Sequence, residues 1–306
     1  ARPTPQRVAH HFVAFRLVPR VRSHGQVEAP DFRTAPHSAL ERGACRGTAL
    51  LGQDSFFNKR LRAELWKATE YHGVQGLAQW GIAAVDIALW DICGKALETP
   101  VYRMLGAFRE SIPAYAMSGW YYEKEDEYRR AISAVIEEGF RAVKIKVGRG
   151  DLDDDIRRIE LAKELVGKKN LVMVDANQVF ANNIPEALRR GRVYQQLGCF
   201  WYEEPFPPQE KHGYAELAAA LDINMATGEN LYTRHEFLDL MQRRAVDIVQ
   251  PDNRRAGGVS EWMEIAALAD GFGLRVASHG GGPTNVHMLC AMPNAIFLET
   301  GSLRGD

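Results

Sequence analysis

The sequence predicts an α/β fold in which eight short strands close into a (β/α)8-type barrel. Three observations predict it. Eight apolar runs of three to six residues, at 112–117, 142–147, 171–174, 200–202, 223–226, 246–249, 274–277 and 295–298, recur over about 190 residues. Polar, amphipathic stretches lie between most of them, the alternation expected of a parallel sheet whose strands are buried on both faces. Most of the runs end in a charged or polar residue, and barrel enzymes collect their catalytic groups at the C-terminal ends of the strands. An open doubly wound sheet is the competing arrangement.

Taken in order, residues 1 to about 65 carry the weakest pattern. A strand is expected within 11–18, followed by a loop rich in Arg, His, Pro and Ala to about residue 46. Residues 61–105 read as helical, since Ile82, Val85, Leu89 and Ile92 recur at helical spacing and Pro100 marks the exit. The barrel pattern starts at Ser111. Helices are expected at about 123–139, 151–166, 184–197 and 260–270, and few residues follow the last strand, so no eighth helix is expected. The division is a capping region over 1–110 and a catalytic barrel over 111–306.

Composition bounds the function. The 306 residues are 46% hydrophobic and 25% charged, ordinary for a globular protein with a large core. Net charge is -1, from 38 basic and 39 acidic residues, so neither nucleic acid nor an anionic membrane is expected as a partner. A small anionic substrate is compatible, because the local field in a cleft matters more than the total. Cys45, Cys93, Cys199 and Cys290 are scattered without a CxxC pair, which suggests buried, reduced thiols and a cytoplasmic protein. No apolar stretch reads as long enough to span a membrane, and the N-terminus does not resemble a signal peptide.

The chemistry lies in the strand ends. Asp175, Glu203 and Glu229 follow the third, fourth and fifth barrel strands. Three carboxylates at one mouth repel unless neutralised, and a hard cation such as Mg2+ binds that oxygen donor set. The alternative is three separate helix caps. Lys144 and Lys146 lie two apart on the second strand and so face the same side. Crowded ammonium groups lower each other's pKa, which makes one a usable base. His279 ends the seventh strand and Asp252 the sixth, close enough for the carboxylate to orient the imidazole. Glu299 ends the eighth and, with a raised pKa, would donate a hydrogen bond to substrate. Asn177 and Asn253 are candidates for bonding substrate hydroxyls, with a structural role as the alternative. A metal between a lysine and a histidine base suits abstraction of a proton α to a carboxylate, with Mg2+ stabilising the ene-diolate.

These residues resemble the enolase superfamily, and within it the mandelate racemase subgroup. The likeness rests on Lys144-Ile145-Lys146, Asp175 in Val174-Asp175-Ala176-Asn177, and Glu203 in Trp201-Tyr202-Glu203-Glu204-Pro205. It extends to Glu229 in Thr227-Gly228-Glu229-Asn230, Asp252 after Gln250-Pro251, His279 in Ala277-Ser278-His279-Gly280 and Glu299 in Leu298-Glu299-Thr300-Gly301. Residues 84–95, followed by 100–106, look like the family's helix leading into the barrel, and the resemblance covers roughly 70–303. The His–Asp dyad together with Glu229 at the fifth strand separates the chain from the muconate-lactonizing subgroup, which uses a lysine at the sixth strand. Residues 1–65 match the family's opening meander poorly and no returning C-terminal segment follows the barrel, so a longer parent polypeptide is expected.

The resemblance implies a (β/α)7β TIM-like barrel with an α+β capping domain, and Mg2+ held by Asp175, Glu203 and Glu229. Lys146 and His279 would be the two acid/base groups, tuned by Lys144 and Asp252, with Glu299 at the substrate carboxylate. It implies a homo-oligomer and, as activity, dehydration of an aldonate or aldarate to a 2-keto-3-deoxy acid. Racemisation or epimerisation of a 2-hydroxy acid uses the same groups and stays open. The glycines at 280–282 suit a polyhydroxy substrate better than an aryl one, although they also suit a tight turn. A barrel that only binds would be expected to have lost one of the eight groups, and a phosphate-ester enzyme would leave the metal and dyad unexplained.

Overall fold

A computed structural model of the protein describes residues 14–16, 50, 52–121 and 124–301, the first three as backbone only. The expected loop to residue 46, Cys45 and most of the expected 11–18 strand lie outside the described residues. The part described, β1 (Ala14–Arg16), pairs antiparallel with the start of the first barrel strand.

Eight parallel strands form the barrel: β2 (Ser111–Gly119), β3 (Ala142–Lys146), β4 (Leu171–Asp175), β5 (Trp201–Glu203), β6 (Asn224–Thr227), β7 (Ile248–Val249), β8 (Arg275–Ala277) and β9 (Ala295–Thr300). Each hydrogen-bonds to the next, and Ala114 pairs with Leu298 to close the ring between β2 and β9. Seven helices fill the connections: α4 (Glu125–Glu138), α5 (Leu152–Val166), α6 (Ile184–Gln196), α7 (Lys211–Ala220), α8 (Arg234–Gln242), α9 (Gly258–Gly271) and α10 (Pro283–Ala291). The order is therefore (β/α)7β, as the sequence suggests.

The local signals are polar caps. Asp151 caps α5 by accepting from Asp154 N at 2.8 Å, Asn183 caps α6 at Glu186 N, and Thr233 and Glu236 form a capping box on α8. Gly139 ends α4 in a left-handed conformation, φ 117°.

Strand alternation divides the core in two. Val143, Ile145, Val172 and Val174 point outward and pack with the helices. The barrel interior is plugged by one residue from every strand: Tyr115, Ala142, Met173, Trp201, Ala226, Ile248, Ala277 and Phe297. Large and small side chains interdigitate there, with Trp201 set edge-on to Tyr115 at 5.0 Å. Truncating Trp201 would cost about 3–5 kcal/mol. Two residues beyond this plug, the same inward face presents Lys144, Asp175, Glu203, Gly228, Gln250, His279 and Glu299. The packing layer therefore sets the height of the polar layer.

Before the barrel come α1 (Asn58–Thr69), α2 (Leu77–Ala96) and α3 (Val101–Met104). The expectation about membrane spans needs correction here. At 20 residues α2 is long and apolar enough to cross a membrane by length and composition. In the fold it packs on α9, where buried Asp86 accepts from Ser260 N and Oγ at 2.9 and 2.6 Å, and Trp90 Nε1 donates to Ser260 Oγ. Its apolar surface is that of a helix covering the barrel's outer ring.

Candidate active site

The carboxylates and bases converge at the C-terminal mouth. Lys144 is 1% exposed, and its Nζ lies 2.6 Å from Glu203 Oε1, 3.1 Å from Glu299 Oε1 and 3.5 Å from Asp175 Oδ2. Burial alone would lower its pKa. The charges of Glu203 and Glu299, then Tyr115 and Asp175, outweigh burial and hold it well above its ordinary value. The expectation that paired ammonium groups depress one another therefore fails at Lys144, because it has more carboxylates than cations around it. Lys146 Nζ donates to Asp175 Oδ2 at 2.6 Å and lies 5.1 Å from the Trp120 ring centroid.

Glu203 is fully enclosed, with Oε2 accepting from Gln250 Nε2 at 2.9 Å. Burial raises its pKa well above the carboxylate range, and repulsion from Asp175, Glu299 and Glu229 adds to that against the pull of Lys144. Burial acts the same way on Asp175, but Lys144 and Lys146 overcome it and its pKa is lowered. Glu229 is brought to the mouth by the turn at Gly228, φ 135°, where a Cβ would meet Phe237 at 2.7 Å and Gln250 N at 3.1 Å.

His279 Nδ1 is 2.7 Å from Asp252 Oδ2, and Nε2 is 3.2 Å from Glu229 Oε2. Burial would lower the imidazole pKa, yet the Asp252 bond and the charges of Glu229 and Glu299 raise it. Asp252 itself resists burial and stays well below the carboxylate range, through His279 and Arg254. Its Oδ1 accepts from Arg254 N and Arg255 N, and its Oδ2 from Arg254 Nη2 at 2.8 Å.

Glu299 departs from expectation. Its Oε1 faces Lys144 and its Oε2 accepts from Gly280 N at 2.8 Å. Burial would raise its pKa, but Lys144 and His279 hold it below the ordinary value. It is an ionised acceptor rather than a donor. Asn253 is 7% exposed, and its amide donates to Asn285 Oδ1 at 2.8 Å. It ties the loop after β7 to the first turn of α10. Asn177 is exposed at the rim with φ 43°, its backbone N–H bonded to Asp175 Oδ1.

The arrangement of the three carboxylates also differs from the compact triad the sequence suggests. Among the described residues no three acidic, histidine or cysteine side chains stand close enough together to enclose a metal. Asp175, Glu203 and Glu229 are turned instead to Lys146, Lys144 and His279. The donor set still fits a hard cation: three carboxylates at the ends of consecutive strands, one of them with its pKa raised by burial and then by its neighbours' charge.

Several residues of the site escape sequence reasoning. Glu204 is 1% exposed and, at φ 40°, turns to bond Gln178 and Asn230; burial, then the charge of Glu229, pushes its pKa up to about 7. The adjacent pair in Glu203-Glu204-Pro205 was the available signal. Arg255 Nη1 donates to Glu229 O and Asn230 Oδ1, and Asn285 Nδ2 bonds the carbonyls of His279, Gly280 and Gly281.

Comparison with known proteins agrees with this geometry. Residues 127–304 match the enolase C-terminal domain-like family, and residues 44–106 match the N-terminal domain of mandelate racemase / muconate lactonizing enzyme. The arabinonate dehydratase of Saccharolobus solfataricus is 36% identical over 264 residues, 84% of this chain and 70% of the relative. The L-talarate/galactarate dehydratase of Salmonella typhimurium is 36% identical over 251 residues, 82% of this chain and 63% of the relative. The crystal structure of L-talarate dehydratase from Polaromonas sp. JS666, complexed with Mg and L-glucarate, superposes with a TM-score of 0.78 at 34% identity, covering 83% and 68% of the two chains. A racemase from Streptomyces coelicolor with bound magnesium gives 0.79 at 30% identity, covering 83% and 71%. The chain thus spans between 63 and 71% of the length of these proteins. Sharing their barrel, with both halves matched in sequence, the chain belongs to the mandelate racemase / muconate lactonizing enzyme family of the enolase superfamily.

Proposed function

We propose that the chain is a Mg2+-dependent dehydratase of acid sugars, converting an aldonate or aldarate to a 2-keto-3-deoxy acid. The observation that carries the reading is the placement of two bases, Lys146 on β3 and His279 after β8, at one mouth lined by Asp175, Glu203 and Glu229. The relatives described as arabinonate, talarate/galactarate and rhamnonate dehydratases support the substrate class.

Asp175, Glu203 and Glu229 would hold the cation, which supplies positive charge that stabilises the ene-diolate form of the substrate carboxylate. One base removes the proton from C2, and its electron pair forms the C2–C3 double bond as the C3–O bond breaks. The other base, in its protonated form, gives its proton to the departing hydroxyl, which leaves as water. The enol product then takes a proton at C3 to become the 2-keto-3-deoxy acid. Asp252 holds the His279 ring for either role, and Lys144 holds Glu203 and Glu299 in place beside the reacting carboxylate.

Proton transfer between the two faces of C2, giving a racemase or epimerase, is the second reading. It is favoured by the two separate bases and by the likeness to the Streptomyces racemase. A panel of mono- and diacid sugars, incubated with Mg2+ and assayed for 2-keto-3-deoxy products as semicarbazones, with EDTA as control, tests the first. No EDTA-sensitive product, together with α-proton exchange in D2O, would transfer the assignment to the second.

A further inference from the structure

The turn that leaves Lys146 is held by side chains at several backbone groups. Arg158, on α5, donates from Nε and Nη2 to Lys146 O at 3.3 and 3.2 Å, and from Nη2 to Gly119 O at 3.0 Å and Trp120 O at 2.7 Å. Its guanidinium carbon lies 4.5 Å from the Tyr128 ring centroid and 5.3 Å from that of Tyr121. The Tyr121 hydroxyl donates to Val147 O. Asp155, 1% exposed, accepts from Gly148 N at 2.9 Å and is itself held by Arg190 Nη1 at 2.7 Å and Tyr194 OH at 2.5 Å. Arg190 Nη2 donates to Gly150 O at 2.9 Å.

The β2–β3 ladder explains why an arginine is needed. Its register shifts between Met117 and Gly119, a bulge that interrupts regular pairing and redirects the chain. The carbonyls of Gly119 and Trp120 just beyond it are met by Arg158. The planar fork spans both strands, which a single ammonium could not do with fixed orientation. Trp120 is also the ring that lies over the Lys146 ammonium. One guanidinium therefore fixes both Lys146 and the aromatic surface against it. The His279 half is supported by other groups: Asn285 on the loop carbonyls, Asn253 on Asn285, and Arg254 on Asp252.

We propose that Arg158 is a positioning residue for the Lys146 half of the site, setting that base and Trp120 independently of His279. The proposal rests on the reading of Lys146 and His279 as the two bases. The test uses the full chain with Mg2+ and two monoacid probes epimeric at C2, gluconate and mannonate, followed by α-proton exchange in D2O, which reports the abstracting base alone. Lys146→Ala and His279→Asn first assign each probe to a base. Arg158→Met is then expected to cut the exchange rate at saturating probe about 100-fold on the probe whose exchange Lys146→Ala abolishes, with KM little changed, since an ångström of misplacement costs that much. On the other probe exchange should stay at the wild-type rate. Arg158→Lys should fall between, and added methylguanidinium should restore Arg158→Met on the affected probe only.

Equal losses on both probes, or none, would overturn the proposal. Should Arg158→Met fail to fold, Arg158→Lys and Tyr128→Leu carry the same comparison. If Lys146→Ala and His279→Asn fail to separate the probes, the two-base reading falls, and the assignment to Arg158 with it.

Discussion

Lys144 places its ammonium nitrogen 2.6 Å from Glu203 Oε1, with both side chains 1% exposed. Removing one partner of such a buried pair leaves an uncompensated charge, which costs about 3–5 kcal/mol. Lys144→Met is expected to lose stability on that scale in urea melts. Mg2+ should recover more of it in the variant than in the wild type, because a divalent cation replaces the missing charge. Equal recovery in both proteins would argue against Lys144 as the internal counter-charge of this site.

Lys146→Ala and His279→Asn should each reduce turnover by about 10²–10⁴-fold, the usual worth of a positioned acid or base. Mg2+ binding measured by calorimetry should survive in Lys146→Ala. A His279→Asn protein with unchanged rates on every active substrate would remove the histidine from the reaction.

Gln250 holds the second oxygen of Glu203. Groups that orient a metal ligand are typically worth 10–100-fold in affinity, so Gln250→Leu should weaken Mg2+ binding by about that factor. Glu203→Gln should weaken it further. Calorimetric titration of the three proteins gives the order, and a Gln250→Leu protein that binds like wild type would refute the supporting role.

Glu186 supports Arg190, and through it the turn after Lys146, by accepting from Arg189 and Arg190. Hydrogen bonds from those arginines, Arg189 first, lower its pKa to about 2 from an ordinary 4.5. A depressed carboxylate stabilises the fold above its unfolded-state value. That contribution is lost as pH falls from about 4.5 through about 2. The stability gap between wild type and Glu186→Gln should therefore be present at neutral pH and close across that window. It should also shrink in high salt, because Arg189 is 55% exposed.

Burial pushes the Cys199 thiol up to about 12 and the Cys290 thiol up to about 11. The thiolate is the reactive form, so both should resist iodoacetamide in the native protein at pH 8 and react after denaturation. Peptide-resolved mass spectrometry checks each one. Rapid native labelling of Cys199 would show that α6 and β5 open far more readily than their packing allows.

The barrel was readable because its strands are apolar on both faces and end in charge. All eight expected runs correspond to β2–β9, and Lys144, Asp175, Glu203 and His279 fall on the inward face set by strand alternation. The supporting residues were not readable for equally physical reasons. Arg158 lies on a helix whose charges look like a solvated face, and its aim at three carbonyls depends on a bulge that leaves no mark in hydrophobic pattern. Glu204 required a left-handed residue in a position where alternation points away from the mouth. The ionisation of Lys144 and Glu299 departs from the sequence expectation because side-chain spacing counts neighbours along a strand, whereas charge is balanced across the barrel.

Closure between β2 and β9 puts a time order on assembly. Tyr115, in the first barrel strand, is the register partner of Glu299 in the last. Until residues 295–300 have left the ribosome, β8 and the Ala114–Ala116 part of β2 lack their partner strand, and Lys144 lacks one of its carboxylates. A nascent chain can stack its early strands, but neither the ring nor its charge balance is complete before the final strand arrives.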